Sequence, residues 1–179
     1  KKISLIMDIG PSPEKKFSKD YQSGALSFEI ISNNKKLICN SGYFQKVKHK
    51  LNDISKSTAN HSALIIDNHS SCKINKSKME TQNELKILKK NFIIEKNYWN
   101  ICASHDGYNK QYGIIHERQI EFFPEKSKFI GVDKILKKKN FKSSNFEIRF
   151  HLEPNIKTMK TQDGKSILID MENEGWKFT

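Results

Sequence analysis

Phe146-Glu147-Ile148-Arg149-Phe150-His151-Leu152 alternates apolar and polar residues without a break. Successive side chains of a strand point to opposite faces, so Phe146, Ile148, Phe150 and Leu152 share one face while Glu147, Arg149 and His151 share the other. Similar short apolar segments recur on both sides of this stretch, each closed by turn residues. Upstream, Phe129 to Val132 is one, Tyr112 to Phe123 is long enough for a bent strand, Trp99 to Ser104 ends at Asp106-Gly107, and Ala63 to Ile66 ends at Asp67-Asn68. Nearer the start, Ala25 to Ile31 and Leu37-Ile38-Cys39 flank Asn33-Asn34 and read as a hairpin, after Ile3 to Ile9 and the turn Gly10-Pro11-Ser12-Pro13. Downstream come Ile156 to Met159, the turn Asp163-Gly164, Ser166 to Met171 and Trp176 to Phe178. Leu85, Ile87, Leu88 and Phe92 within Glu80 to Glu95 fit a helix about as well as strands, and Lys137-Lys138-Lys139 reads as a loop. Ten or so short strands with almost no helical period imply an all-β antiparallel β-sandwich.

The chain has 179 residues, enough for one core and one domain over residues 1–179. Its formal charge is +12, from 32 Lys+Arg against 20 Asp+Glu. Arg118 and Arg149 are the only arginines, so the charge is a lysine surface. Arginine is the residue suited to bidentate phosphate and base contacts, and its scarcity argues against nucleic acid as the partner. No apolar run approaches the roughly 20 residues of a membrane-spanning helix. Cys39, Cys72 and Cys102 are odd in number and form no CxxC pair, which indicates neither a disulfide framework nor a zinc knuckle. The first residues, Lys1-Lys2-Ile3-Ser4-Leu5, hold no initiator Met or signal-peptide core and enter a strand at once, so the chain reads as a piece of a longer protein.

Six stretches occur in a fixed order: Gly24-Ala25-Leu26-Ser27-Phe28-Glu29, Cys39-Asn40-Ser41-Gly42-Tyr43, Ser57-Thr58-Ala59-Asn60-His61-Ser62-Ala63-Leu64, His105-Asp106-Gly107-Tyr108, His116-Glu117-Arg118, and Ile148-Arg149-Phe150-His151-Leu152-Glu153-Pro154. Together they resemble the C-terminal domain of heparinase II/III-like proteins, a polysaccharide lyase group, from about Leu5 to Trp176. The resemblance implies a sandwich of supersandwich type that follows an α/α toroid of helices, with a cleft between the two. It also implies a bacterial, periplasmic or secreted parent that cleaves uronate-containing glycans, heparin-like or alginate-like, by β-elimination. That reaction must neutralise the uronate carboxylate, remove the adjacent carbon-bound proton and protonate the leaving oxygen. In the family the base and acid lie largely on the toroid, so the expected partners are an acidic polysaccharide and the protein's own N-terminal helical domain.

By the same resemblance His61 matches a family histidine that ligates metal or donates to the carboxylate. Asn40 stands where many members carry Asp, and Gln22 where a His precedes the GxLSFE stretch. These neutral amides disfavour a high-affinity zinc site and leave at most a weak divalent metal, Zn or Ca, on His61 and Asn40. Lys56 stands where relatives often have Arg and could meet a uronate as a point charge. For the rest, two readings stay open. His105 is an imidazole in the cleft or part of a plain turn, and His116 and Arg118 are a sugar-binding patch or a solvated polar face. Arg149 and His151 share a face, where an ion pair with Glu147 or Glu153 is expected. Trp99 and Trp176 are expected in the core, and His49, His69 and the cysteines receive no role. The expectation is thus a lyase domain with His61 as its catalytic residue and Gln22, Asn40, Lys56, His105 and Arg118 as substrate-binding residues. The alternative is a non-catalytic carbohydrate-binding or structural sandwich.

Overall fold

The computed structural model describes residues 2–42, 51–75, 78 and 80–179. Tyr43 of the CNSGY stretch and His49 lie outside the described residues. The chain runs β1 (Ile3–Met7), β2 (Phe28–Ser32), β3 (Lys35–Cys39), α1 (Leu51–Ser55), β4 (Leu64–Ile66), β5 (Ile74–Asn75), β6 (Glu80–Thr81), β7 (Ile87–Glu95), β8 (Tyr98–His105), α2 (Asn109–Tyr112), β9 (Ile114–Phe123), β10 (Lys128–Lys137), β11 (Phe146–Ile148), β12 (His151–Leu152), β13 (Lys157–Lys160), β14 (Ile167–Asp170) and β15 (Gly175–Phe178). Every described strand pair is antiparallel. No described helix is long and apolar enough to cross a membrane. The all-β expectation holds.

Two four-stranded sheets, ordered β1-β2-β3-β12 and β10-β9-β8-β7, carry the architecture, with a three-stranded sheet β13-β14-β15 at their side. Alternation along β2 turns Phe28 and Ile30 inward, where they meet Leu37 and Ile38 of β3, Ile120 of β9, Ile169 of β14 and Met171 just after it. Burying side chains of this size removes enough apolar surface to contribute about 2 kcal/mol each. A second cluster joins Leu64 and Ile66 of β4 to Tyr108, Tyr112 and Ile114. The expected hairpin is β2–β3. Asn33 and Asn34 adopt φ values of 48° and 66°, the left-handed pair that matches the strand twist in a two-residue turn.

The deciding stretch behaves differently from its pattern. Phe146–Leu152 is not one strand: β11 pairs with β4 and β12 with β3, and the chain passes from one sheet to another at Arg149 and Phe150. Because β4 and β3 belong to different sheets, alternation survives while the partner changes. Phe146 and Phe150 are consequently exposed rather than core. Glu80 to Glu95 resolves into β6 and β7 with no helix. Tyr112 ends α2 instead of opening a strand, and Gly113 follows it at φ 65°, with Asn140 so close that a Cβ there would lie 2.5 Å from its carbonyl carbon. The segment Phe129 to Val132 extends to Lys137, so the first lysine of the expected loop ends β10. Trp99 and Trp176 are half-buried, against Phe122 and Phe129 respectively.

Candidate functional site

Five of the six ordered stretches converge on the peptide that follows His61. The Ser62 N–H donates to Asn40 Oδ1 (2.9 Å), and the Ser62 carbonyl accepts from Arg118 Nη1 (2.7 Å). Its hydroxyl donates to the Cys39 carbonyl and accepts from the His151 N–H, both at 2.9 Å. The Arg149 N–H then donates to the Ala63 carbonyl (3.0 Å). Gly24 packs against the imidazole itself, and a Cβ at Gly24 would lie 3.3 Å from His61 Cγ. Every polar group of Ser62 is thus paired to a different part of the chain, as a fully buried residue requires.

The sixth stretch enters through a buried relay. The Gly107 N–H donates to His105 Nδ1 (3.1 Å), so Nδ1 is the acceptor and the neutral ring carries its proton on Nε2. That proton faces His116 Nδ1 at 3.2 Å, which leaves His116 Nε2–H to donate to Asp133 Oδ1 at 2.6 Å. The Asp133 carboxylate receives Arg118 as a fork, Nε on Oδ1 (2.8 Å) and Nη2 on Oδ2 (3.0 Å). One backbone N–H therefore fixes the tautomers of two histidines in series. Burial pushes both imidazoles down from 6.5, and the positive Arg118 adds to it. Burial works against the Asp133 carboxylate, but the hydrogen bonds from His116 and Arg118 and the Arg118 charge outweigh it and bring it down to about 2.

These positions settle where each expected residue lies. His61 is 3% exposed, and burial brings it down to about 4 against the opposing Ser55 backbone. It is neutral at pH 7, so it can donate or accept one hydrogen bond but cannot act as a cation. Its Nε2 is buried and has no hydrogen-bond partner among the described residues. Gln22 is half-buried, two residues from Gly24. Asn40 spends its side-chain oxygen on Ser62, and its own N–H donates to Glu29 Oε1 (3.0 Å). Lys56 is buried and donates to the Lys19 carbonyl, and burial lowers its ammonium while Asp20 and Asp53 oppose. His105, His116 and Arg118 are all buried, so His116 and Arg118 form neither a solvated polar face nor an open sugar-binding patch, and His105 does not open into a cleft; Phe28 of β2 lies 5.3 Å from the Arg118 guanidinium.

Arg149 pairs with Glu147 (3.1 Å), as one of its two expected partners, and also donates to the Ala59 carbonyl, which His151 Nε2 shares at 3.0 Å. His69, given no role from sequence, bonds the Tyr112 hydroxyl through Nδ1 (2.6 Å). Burial holds the Cys72 thiol up at about 12, so it stays protonated.

Three members were not found from the sequence. Asp133 had a signal: Phe129, Gly131, Asp133 and Ile135 share one face of β10, and a lone acid on that face asks for a buried cation. The cation is Arg118, directly opposite on β9. Ser62 and Leu26 had none, because their backbone carbonyls are what Arg118 holds. Leu26 adopts φ 61°, rare for a bulky side chain, and keeps it through the Arg118 bond to its carbonyl and its own N–H on the Asp8 carbonyl.

A divalent metal fits poorly here. Among the described residues no group of three His, Cys, Asp or Glu could hold one. Asn40 is a neutral amide whose Oδ1 already accepts the Ser62 N–H, so it offers a metal on His61 no anionic ligand.

Solved structures of polysaccharide lyases share this fold. Heparan sulfate lyase HepC from Pedobacter heparinus superposes over 94% of this chain with a TM-score of 0.71 at 15% identity. The heparinase III BT4657 gene product covers 84% of it with a TM-score of 0.63 at 16% identity. At these identities the likeness shows the fold alone. The chain spans about a quarter of the length of these lyases, 24% and 21% respectively. No curated protein matches. The family model described as Heparinase II/III-like, C-terminal, matches residues 1–179, and the chain belongs to that family.

Proposed function

We propose that this chain is the sandwich part of a polysaccharide lyase that cleaves an acidic, uronate-containing glycan by β-elimination, in a cleft shared with an upstream helical toroid. The observation that carries this reading is the convergence of motifs from Gly24 to His151 on His61 and Ser62. So many long-range bonds on the residue that follows the imidazole hold that segment in place, and among the described residues His61 Nε2 is buried without a partner. A neutral imidazole there supplies one hydrogen bond to a substrate group, the uronate carboxylate or the leaving oxygen, without contributing charge. Gln22, two residues before the Gly24 that packs on the ring, is the second group proposed to face the glycan. The charge on the uronate would then be offset by groups outside this chain or by lysines at the rim.

The test is the full-length protein with heparin-like and alginate-like glycans, followed by the ultraviolet absorbance of the unsaturated uronate product. His61→Ala should lower turnover by about 100-fold or more, the usual loss on removing one well-placed donor. An unchanged rate takes His61 out of the mechanism.

A second reading, a non-catalytic carbohydrate-binding or structural sandwich, is favoured by one observation. His61 Nε2 is shut off from solvent and Asn40 is occupied by Ser62, so neither presents an open polar face. That reading expects glycan binding without product and no change in binding on His61→Ala.

A further inference from the structure

Arg118 is the residue through which the buried relay reaches His61. Its guanidinium has five N–H donors, and four are engaged: two on Asp133, one on the Leu26 carbonyl and one on the Ser62 carbonyl. The two carbonyls lie on the two segments that flank the imidazole. Leu26 lies inside the turn that the Ser27 N–H closes on the Gly24 carbonyl, Gly24 packs against the ring, and Ser62 is the residue after His61. Asp133 holds the fork in plane, His116 Nε2 shares its Oδ1 with Arg118 Nε, and His105 fixes the His116 tautomer. At 1% exposure Arg118 has no path to a glycan.

We infer that Arg118, oriented by Asp133 and His116, is the positioning residue of the His61 site: it ties the Gly24–Leu26 turn to the Ser62 carbonyl and so sets the place of the imidazole between them. The inference deepens the function proposed above in naming what orients its histidine, and its geometry stands whether or not the protein cleaves a glycan. Lysine cannot replace the group. An ammonium offers its donors from a single point, whereas the fork must reach a carboxylate on one side and two carbonyls on the other.

The experiment is hydrogen–deuterium exchange at the imidazole C2 position, read for each histidine by mass spectrometry on the full-length protein at one fixed pH. Arg118→Lys should speed exchange at His61 about tenfold or more, the scale of one lost charge-assisted hydrogen bond, while the His69 ring, bonded to Tyr112 and to no side chain of the relay, keeps its wild-type rate. Asp133→Asn, which retains the shape but loosens the fork, should give a smaller change in the same direction. If Arg118→Lys does not fold, Asp133→Asn decides alone. A folded variant with the His61 rate unchanged overturns the inference, as does an equal rise at His61 and His69, which marks general loosening. This readout needs no substrate, so a protein inactive on every glycan would defeat the proposed function and leave the positioning role tested on its own. Where activity exists, Arg118→Lys should lower kcat more than it raises KM, because it misplaces a group without touching substrate.

Discussion

One face of the β10-β9-β8-β7 sheet carries opposite extremes at its two ends. At the β9–β10 end it bears His116, Arg118 and Asp133, and Arg118 is 1% exposed. At the β7 end the same face bears Phe92 and Ile94, exposed to 67% and 70%. The charged groups are inside and the apolar ones outside, the reverse of the usual distribution. Coverage accounts for it. Phe28 of β2 and its sheet lie over β9, whereas most side chains of β7, the edge strand farthest from β9, remain in solvent. Residue type set the chemistry of each end, but the neighbouring sheet set its burial.

The largest expected break in that contrast is Arg118→Met. It keeps most of the volume but strands the Asp133 carboxylate inside, and removing one partner of a buried pair costs about 3–5 kcal/mol. A urea titration of the folded chain should show the loss as a lowered midpoint with little change in slope. A midpoint within error of wild type would mean that Asp133 finds another partner or reaches water.

Acid should act on the same end next. His105 and His116 are held below 6.5 by burial, so the unfolded chain binds their protons first as the pH falls. Stability is therefore full above about pH 6.5 and declines below it, at up to about 1.4 kcal/mol per pH unit for each histidine. His61 adds to the decline down to about pH 4. Asp133 acts later: its contribution, present above 3.8, is lost as the pH falls toward about 2. Melting temperatures measured between pH 7 and pH 5 should drop steadily, and a flat profile would show the relay already protonated or open to solvent.

At the other end Phe92→Ser should be nearly silent. An exposed edge side chain has little burial to lose, and the change in unfolding free energy should stay within about 0.5 kcal/mol. A cost as large as that of Arg118→Met would mean that this edge is covered in the protein as measured. The three results together separate burial from residue type as the source of the difference.

Much of the sandwich could be read from short-range signals. Asn33-Asn34 between apolar runs marked a two-residue turn, and the alternation of Phe146–Leu152 marked extended chain. Partner choice could not be read, because alternation is the same whichever strand lies alongside, and the move from β4 to β3 at Arg149 and Phe150 leaves no trace in it. The candidate site was legible as motifs and not as geometry. The two arginines stood out in a lysine-dominated chain, and both bond to the 57–64 stretch, Arg118 at Ser62 and Arg149 at Ala59. That they bond to its backbone carbonyls was invisible, since every residue has a carbonyl and none is marked by its side chain.

The amino-acid sequence by itself determined that this protein is an all-β domain of the heparinase II/III-like kind, with His61 and its neighbours as the place to look. Periodicity, turn chemistry and motif order are local properties and survive without coordinates. Only the tertiary structure decided that Arg118, His105 and Lys56 face inward, that Asn40 holds a peptide, and that Asp133 completes the relay. Those outcomes depend on which sheet covers which face and on pairings between residues up to 92 positions apart, as with Arg118 and Leu26. Burial then turned side chains that could have met a glycan into the support of one imidazole.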